Sequence, residues 1–184
     1  MYKRQDYWVS QVFDSIWPFK ILANINFDNK KFLDIGSGCG FPGLAYAITH
    51  PSSEIYLIDS SKKKTDALKI LIKEINFKNN IHIINDRIEN LAHQSSMRNS
   101  FNIASTRAVS NPSTVSEYIL PILQKKGLGF LYCGKWTDKE SKKLDETLEI
   151  LEGKVKEKKK ILLPRSKGNR NTVSYTHLTL PTKA

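Results

Sequence analysis

The sequence predicts an α/β fold with a mostly parallel central sheet flanked by helices. Two stretches carry that prediction. In Lys31 to Gly43, KFLDIGSGCGFPG, a short apolar run (Phe32, Leu33, Ile35) breaks into glycines at Gly36, Gly38, Gly40 and Gly43. The apolar pattern resumes as Leu44, Ala45, Ala47 and Ile48, so the order is strand, tight loop, helix. The second stretch, Glu54 to Asp59, is an apolar strand ending in an acid about twenty residues beyond the loop, where doubly wound folds hold a ribose.

Glycines at the loop allow positive φ and leave room for a ligand against the backbone amides. The following helix is expected to point its N-terminal amides into the same space. Gly38 to Gly43 satisfies G-x-G-x-x-G, the dinucleotide fingerprint, but its register is wrong. The fingerprint's first glycine closes the strand; here Gly36 does so, which leaves Phe41 where the third glycine belongs. Asp34-x-Gly36-x-Gly38-x-Gly40 instead resembles the acid-and-glycine loop of Rossmann-like class I methyltransferases that bind S-adenosylmethionine. Asp34, Gly36 and Gly38 are therefore candidate cofactor residues. Asp59 joins them, because a carboxylate accepts two hydrogen bonds and suits a vicinal diol.

The chain of 184 residues suits one domain, taken as residues 1–173 with an N-terminal helix at 6–24 and a core at 30–163. A net charge of +11 favours a polyanionic partner. The two cysteines, Cys39 and Cys133, show neither metal-ligand nor disulfide spacing, which fits a reducing cytosol. No apolar run reaches the length of a membrane span and the first residues lack a signal-peptide core. A cytoplasmic, metal-free monomer is expected. The four histidines are scattered and receive no role.

In order along the chain, Trp8, Val9, Val12, Phe13, Ile16 and Trp17 have helical spacing and read as a mostly core-facing stripe, interrupted near Pro18. Asp14 and Ser15 read as surface or cap residues. After Asp59, a helix places Ala67, Leu68, Leu71, Ile72 and Ile75 on a core stripe. It opens with Lys62, Lys63 and Lys64, where positive charge opposes the dipole and suggests an external anion. A third strand, Asn80 to Asn85, leads to Asp86-Arg87-Ile88-Glu89, with Ile88 placed to pack on a purine and Arg87 near an entering phosphate. The fourth strand, Phe101 to Ser105, runs into Arg107. An arginine at the carboxyl end of a central strand points to the ligand site. Asn111-Pro112 starts the next helix, with Val115, Ile119, Leu120 and Leu123 buried. A fifth strand, Leu128 to Cys133, is followed by Lys135 and Trp136, a phosphate contact beside a stacking surface. Thr137-x-x-Glu140 is a capping box. Ile161 to Leu163 suggests a sixth strand after a lysine run. Residues 174–184 differ in character and read as an atypical tail, foreign or disordered.

Together FLDIGSGCGFPG, LIDSSKKK, NDRIENL, FNIASTRAVS and GFLYCGKW resemble the RsmG or GidB family, the small-subunit (16S) ribosomal RNA guanine-N7 methyltransferases. The similarity runs from about Trp8 to Leu163, and its most specific parts are GFPG, R-x-E after the third strand and S-x-R-A after the fourth. The resemblance implies S-adenosylmethionine as cofactor, with Gly36, Phe41, Ile88, Glu89 and Arg107 in its site. It implies that Arg87 binds RNA or positions the substrate. Arg87 and Arg107 are thus the candidate catalytic residues, and Lys62, Lys63, Arg87 and Lys135 the candidate RNA contacts. The expected partner is small-subunit ribosomal RNA or its assembly particle. Relative to the family, the chain reads as shortened before its Asp14-Ser15 element and altered at its end.

The chemistry suits these residues. The N7 lone pair of guanine needs no deprotonation, and proximity with in-line alignment can supply roughly 7–11 kcal/mol without a dedicated base. Two rivals remain at this stage: an NAD-dependent oxidoreductase using the shifted fingerprint, and an RNA-binding module with a non-catalytic Rossmann-like fold.

Overall fold

The computed structural model describes residues 4–21, 25–107, 111–165 and 167–177. Its seven strands are β1 (Lys31–Ile35), β2 (Glu54–Ile58), β3 (Ile81–Ile84), β4 (Phe101–Arg107), β5 (Leu123–Cys133), β6 (Gly153–Leu162) and β7 (Asn169–His177). They form one sheet in the order β3-β2-β1-β4-β5-β7-β6. The first five are parallel, and β7 is antiparallel to both β5 and β6. The order reverses at β1 and β4, so their carboxyl ends flank the crevice where open α/β sheets bind ligands.

Helices α3 (Gly43–Thr49), α4 (Lys62–Ile75), α5 (Ile88–His93), α6 (Pro112–Ile122) and α7 (Asp138–Ile150) cover the sheet. Two-residue alternation along β1 divides the core. Leu33 and Ile35 join Ile119, Leu120, Leu144 and Val173 on one face; Phe32 joins Tyr46, Leu57, Leu68 and Phe130 on the other. Asp34 shares the second face and lies under α3. The caps match the sequence: Asn111 accepts from the Ser113 amide at 3.0 Å, and Thr137 and Glu140 form the reciprocal box.

The N-terminal segment departs from the expected single helix. It comprises α1 (Arg4–Tyr7), a π-helical stretch at Trp8–Phe13 and α2 (Asp14–Ile21), which carries Pro18 inside it; residues 22–24 lie outside the described ones. A π turn shifts the facing of side chains, so Trp17 and Phe19 are buried while Trp8 and Phe13 are 60% and 44% exposed. Asp14 and Ser15, read as surface or cap residues, are buried. The stripe on α4 is also displaced. Thr65 and Leu68 are buried, but Ala67, Leu71 and Ile75 face solvent because this helix lies at the outer end of its layer.

Two further strands extend beyond their expected limits. β5 begins at Leu123 because Leu123 pairs with Phe101, and a register shift with Lys126 at φ 65° carries the chain to Leu128. β6 takes in the lysine run. It is the sheet's outer edge, where exposed Lys154, Lys156, Lys158, Lys159 and Lys160 discourage pairing with another chain. Ser174 to His177, assigned to the tail, are the end of β7, an interior strand with Tyr175 fully buried. Tyr175 fills the space over Gly129, where a Cβ would strike its ring. Residues 178–184 lie outside the described ones.

Candidate active site

The glycine loop is organised from beneath. Asp34, at the end of β1, is fully buried. Its Oδ2 accepts from the Gly43 amide at 2.9 Å and its Oδ1 from the Ser105 hydroxyl at 3.1 Å. Burial pushes its pKa up to about 7, against the pull of those two donors and the Arg107 charge. Asp34 therefore braces the turn and does not line the cleft, which corrects its expected place among ligand contacts. Gly43 must lack a Cβ, which would collide with Leu57 and come within 2.9 Å of Asp34 Oδ2.

Most of the loop's glycine amides are likewise spent inside the protein. Gly36 and Ser37 donate to the Ile58 carbonyl, Gly38 to Asp59 Oδ2 at 3.0 Å, Gly40 to Ser37, and Leu44 to Gly40. The expectation of free helix N-terminal amides is thus overturned: the first two of α3 are held by Asp34 and Gly40. Gly36, Gly38 and Gly40 still have φ of 70°, 56° and 92°, so glycine is needed for the path of the chain.

Above the carboxyl ends of β1, β2 and β4 opens a cleft of about 370 Å³. Of the sequence candidates, Gly36, Asp59, Arg87, Ile88, Glu89 and Arg107 line it. Asp59 is held in place: Oδ1 accepts from the Ser61 amide at 2.9 Å, Oδ2 from Gly38, and Lys64 Nζ lies 3.6 Å away. Ile88 offers a buried apolar wall at the start of α5. Arg87 pairs loosely with Glu89 at 3.4 Å and is largely exposed. Thr114, Val115 and Tyr118 from α6 complete the wall. The remaining candidates lie elsewhere. Gly38 is turned to Asp59, and Phe41 meets Tyr7 edge-on at 6.0 Å between ring centres. Lys62 and Lys63 are exposed outside this cleft, Lys62 pairing with Asp66 at 3.4 Å.

Arg107 stands between this cleft and a second one of about 460 Å³, lined by Ser10, Gln11, Asp14, Tyr132 and Arg170 among others. Its guanidinium donates to Gln11 Oε1 at 2.5 Å and to the Ser10 carbonyl at 3.5 Å, and lies 3.6 Å from Asp14 Oδ2. Arg170 Nε also donates to Asp14 Oδ2, at 3.2 Å. The buried Asp14 thus faces two arginines. Tyr132 donates from its hydroxyl to the Ser15 carbonyl at 2.8 Å, tying α2 to β5. Among the described residues, no three His, Cys, Asp or Glu side chains are grouped so as to hold a metal ion. No described helix is long and apolar enough to cross a membrane.

Comparison with known proteins agrees with this geometry. Residues 2–169 match the family model of rRNA small subunit methyltransferase G, GidB. The chain belongs to the GidB family. A Prochlorococcus marinus (strain MIT 9312) relative named ribosomal RNA small subunit methyltransferase G is 87% identical over 93% of this chain and 72% of its own length. Its namesake from strain AS9601 is 83% identical over 91% of this chain and 71% of its own. Among solved structures, a ribosomal protein L11 methylase from Lactobacillus delbrueckii subsp. bulgaricus superposes with a TM-score of 0.69 at 10% identity, covering 91% of this chain and 79% of its own. An O-methyltransferase from Thermotoga maritima gives 0.66 at 12% identity over 93% and 67%. These two share the fold, that of class I S-adenosylmethionine-dependent methyltransferases.

Sequence reasoning missed Ser10, Gln11, Thr114 and Tyr118, and read Asp14 as a surface or cap residue. Thr114 and Tyr118 were accessible in principle, since they flank Val115 on a helix whose start was placed. The pairing of Gln11 with Arg107, across 96 positions, leaves no local signal.

Proposed function

We propose that this chain is an enzyme that transfers a methyl group from S-adenosylmethionine to N7 of a guanine in small-subunit (16S) ribosomal RNA. The observation that carries the reading is the state of the glycine turn. A dinucleotide needs free amides at the helix start to hold its pyrophosphate. Here Asp34 and the Gly40 carbonyl already occupy the first two, those of Gly43 and Leu44. The turn offers space and shape, which suits a nucleoside ligand without phosphates and argues against an NAD-dependent oxidoreductase. The residues fit the methyl donor: Gly36 lets it approach β1, Asp59 can accept from its ribose hydroxyls, and Ile88 supplies an apolar face for its purine, with Glu89 beside it.

When bound, S-adenosylmethionine supplies an electrophilic methyl on a sulfonium; transfer leaves S-adenosylhomocysteine and moves the positive charge to the purine. N7 brings its own lone pair, so the chain has only to orient the acceptor and exclude competing water. Arg107 can do both from the partition between the two clefts, with the guanine lying in the second. Arg87, exposed at the mouth of the first, can take one phosphate, and Lys62, Lys63 and Lys135 can take others. The reaction needs no metal, and the reading places a monomeric enzyme in the cytoplasm, acting on ribosomal RNA or its assembly particle.

The test is to incubate the chain with isotopically labelled methyl donor and 16S ribosomal RNA or small-subunit particles, then digest the RNA for mass spectrometry. Labelled 7-methylguanosine is expected, reduced at least tenfold by Arg107→Ala. Label on another atom, or none with either substrate, would overturn the proposal.

A further inference from the structure

A third cleft, of about 540 Å³, continues from the second. Gly134 and Arg170 line both, as Arg107 lines both the first and the second. The three therefore lie side by side along the carboxyl end of the parallel strands, from the methyl-donor cleft past β4 and β5 to β7. The third cleft's lining includes Lys135, Lys160 and Arg170, together with Asn169 and Asn171, and none of its lining residues is acidic. Lys135 and Lys160 are exposed. Neither makes a salt bridge with a described residue. Half-buried Trp136 lies among these cations, packed on one side against the core cluster of α6 and α7. Its indole N–H has no acceptor among the described residues, so packing alone positions the ring.

Cations around an aromatic ring, without acids, are what a single-stranded nucleotide recognises: charge for the phosphates, a π-face for the base. A merely structural Trp136 would account for the packing but not for the unpaired cations around it. Edge lysines that only block strand pairing would account for Lys160 but not for Lys135, which follows β5. We infer that this third cleft holds the nucleotide next to the methylated guanine, its base stacked on Trp136 and its phosphates contacted by Lys135 and Lys160. The inference rests on the ribosomal RNA reading above. It also implies that the target lies in unpaired RNA, because a base cannot stack on Trp136 while remaining in a duplex.

The test uses a single-stranded uridine decamer with one central guanine, bound to the protein with S-adenosylhomocysteine and followed by fluorescence anisotropy. Trp136→Ala is expected to weaken binding about tenfold, and Trp136→Phe, which keeps a stacking face, by no more than about twofold. Removing the neighbouring base, as an abasic site on one side of the guanine, should weaken binding to the wild type and leave Trp136→Ala indifferent. Affinity for S-adenosylmethionine should stay unchanged in both variants, which checks that they fold. Independently, Lys135→Ala with Lys160→Ala should lower the salt slope by about 1.4, at roughly 0.7 per phosphate on single strands. Unchanged slope in the double variant, or abasic and Trp136→Ala losses that simply add, would overturn the inference. Either could occur while 7-methylguanosine still forms on ribosomal RNA, in which case the methyltransferase reading stands alone.

Discussion

Replacing Asp34 by Asn should flatten the pH dependence of stability. Asp34 is fully buried and burial raises its pKa from 3.8 to about 7. Between those values the folded protein binds a proton at this site that the unfolded chain has lost. The unfolded state therefore holds fewer protons, and stability falls as pH rises, by about 1.4 kcal/mol per pH unit. The contribution is fully present below pH 3.8 and is lost as pH passes 7. From pH 5 to pH 7 the fall is roughly 2.3 kcal/mol, with about 0.4 kcal/mol more to pH 8. Asn retains an oxygen for the Gly43 amide and a polar partner for Ser105, but it does not titrate. Urea unfolding of both proteins at pH 5, 6, 7 and 8 provides the measurement, and subtracting the two curves removes every other titrating group. The wild-type advantage over Asp34→Asn should shrink by roughly 3 kcal/mol across that range. A constant difference would refute the argument, and with it the view that this acid works inside the turn as a poorly solvated brace.

Two further outcomes are expected. Gly43→Ala should destabilise by about 1–3 kcal/mol, since its Cβ would strike Leu57 and crowd Asp34; the melting temperature should drop several degrees by calorimetry. Asp59→Asn should weaken S-adenosylmethionine binding by about tenfold or more in a calorimetric titration, because a charged acceptor facing the cleft is lost while one oxygen remains for Gly38.

The sheet was legible because its central parallel strands are largely buried and read as short apolar runs, as in Ile55 to Ile58. Asp59 and Arg107 were legible for a related reason: a charged residue directly after such a run has to sit at the strand's end. Asp34 was legible as a necessary acid but not in its role, since only the fold shows that Gly43 and Ser105 turn inward to it. The N-terminal segment misled because a π turn breaks the 3.6-residue spacing on which the core stripe was read. β6 misled because an edge strand can alternate lysine with half-buried residues and carry little apolar signal. The second cleft was the least visible, whereas Lys135 and Trp136 of the third were read from the sequence. Its walls come from α2, β4, β5 and β7, and no local pattern reports on Asp14 meeting Arg170 across 156 positions.

That last contact bears on how the protein matures during synthesis. Asp14 leaves the ribosome early and waits for Arg107, then for Arg170 near the far end of the described chain. Until the late hairpin inserts β7 beside β5, the buried carboxylate has only one of its two arginines. The second cleft is therefore walled only when segments from both ends of the described chain have met.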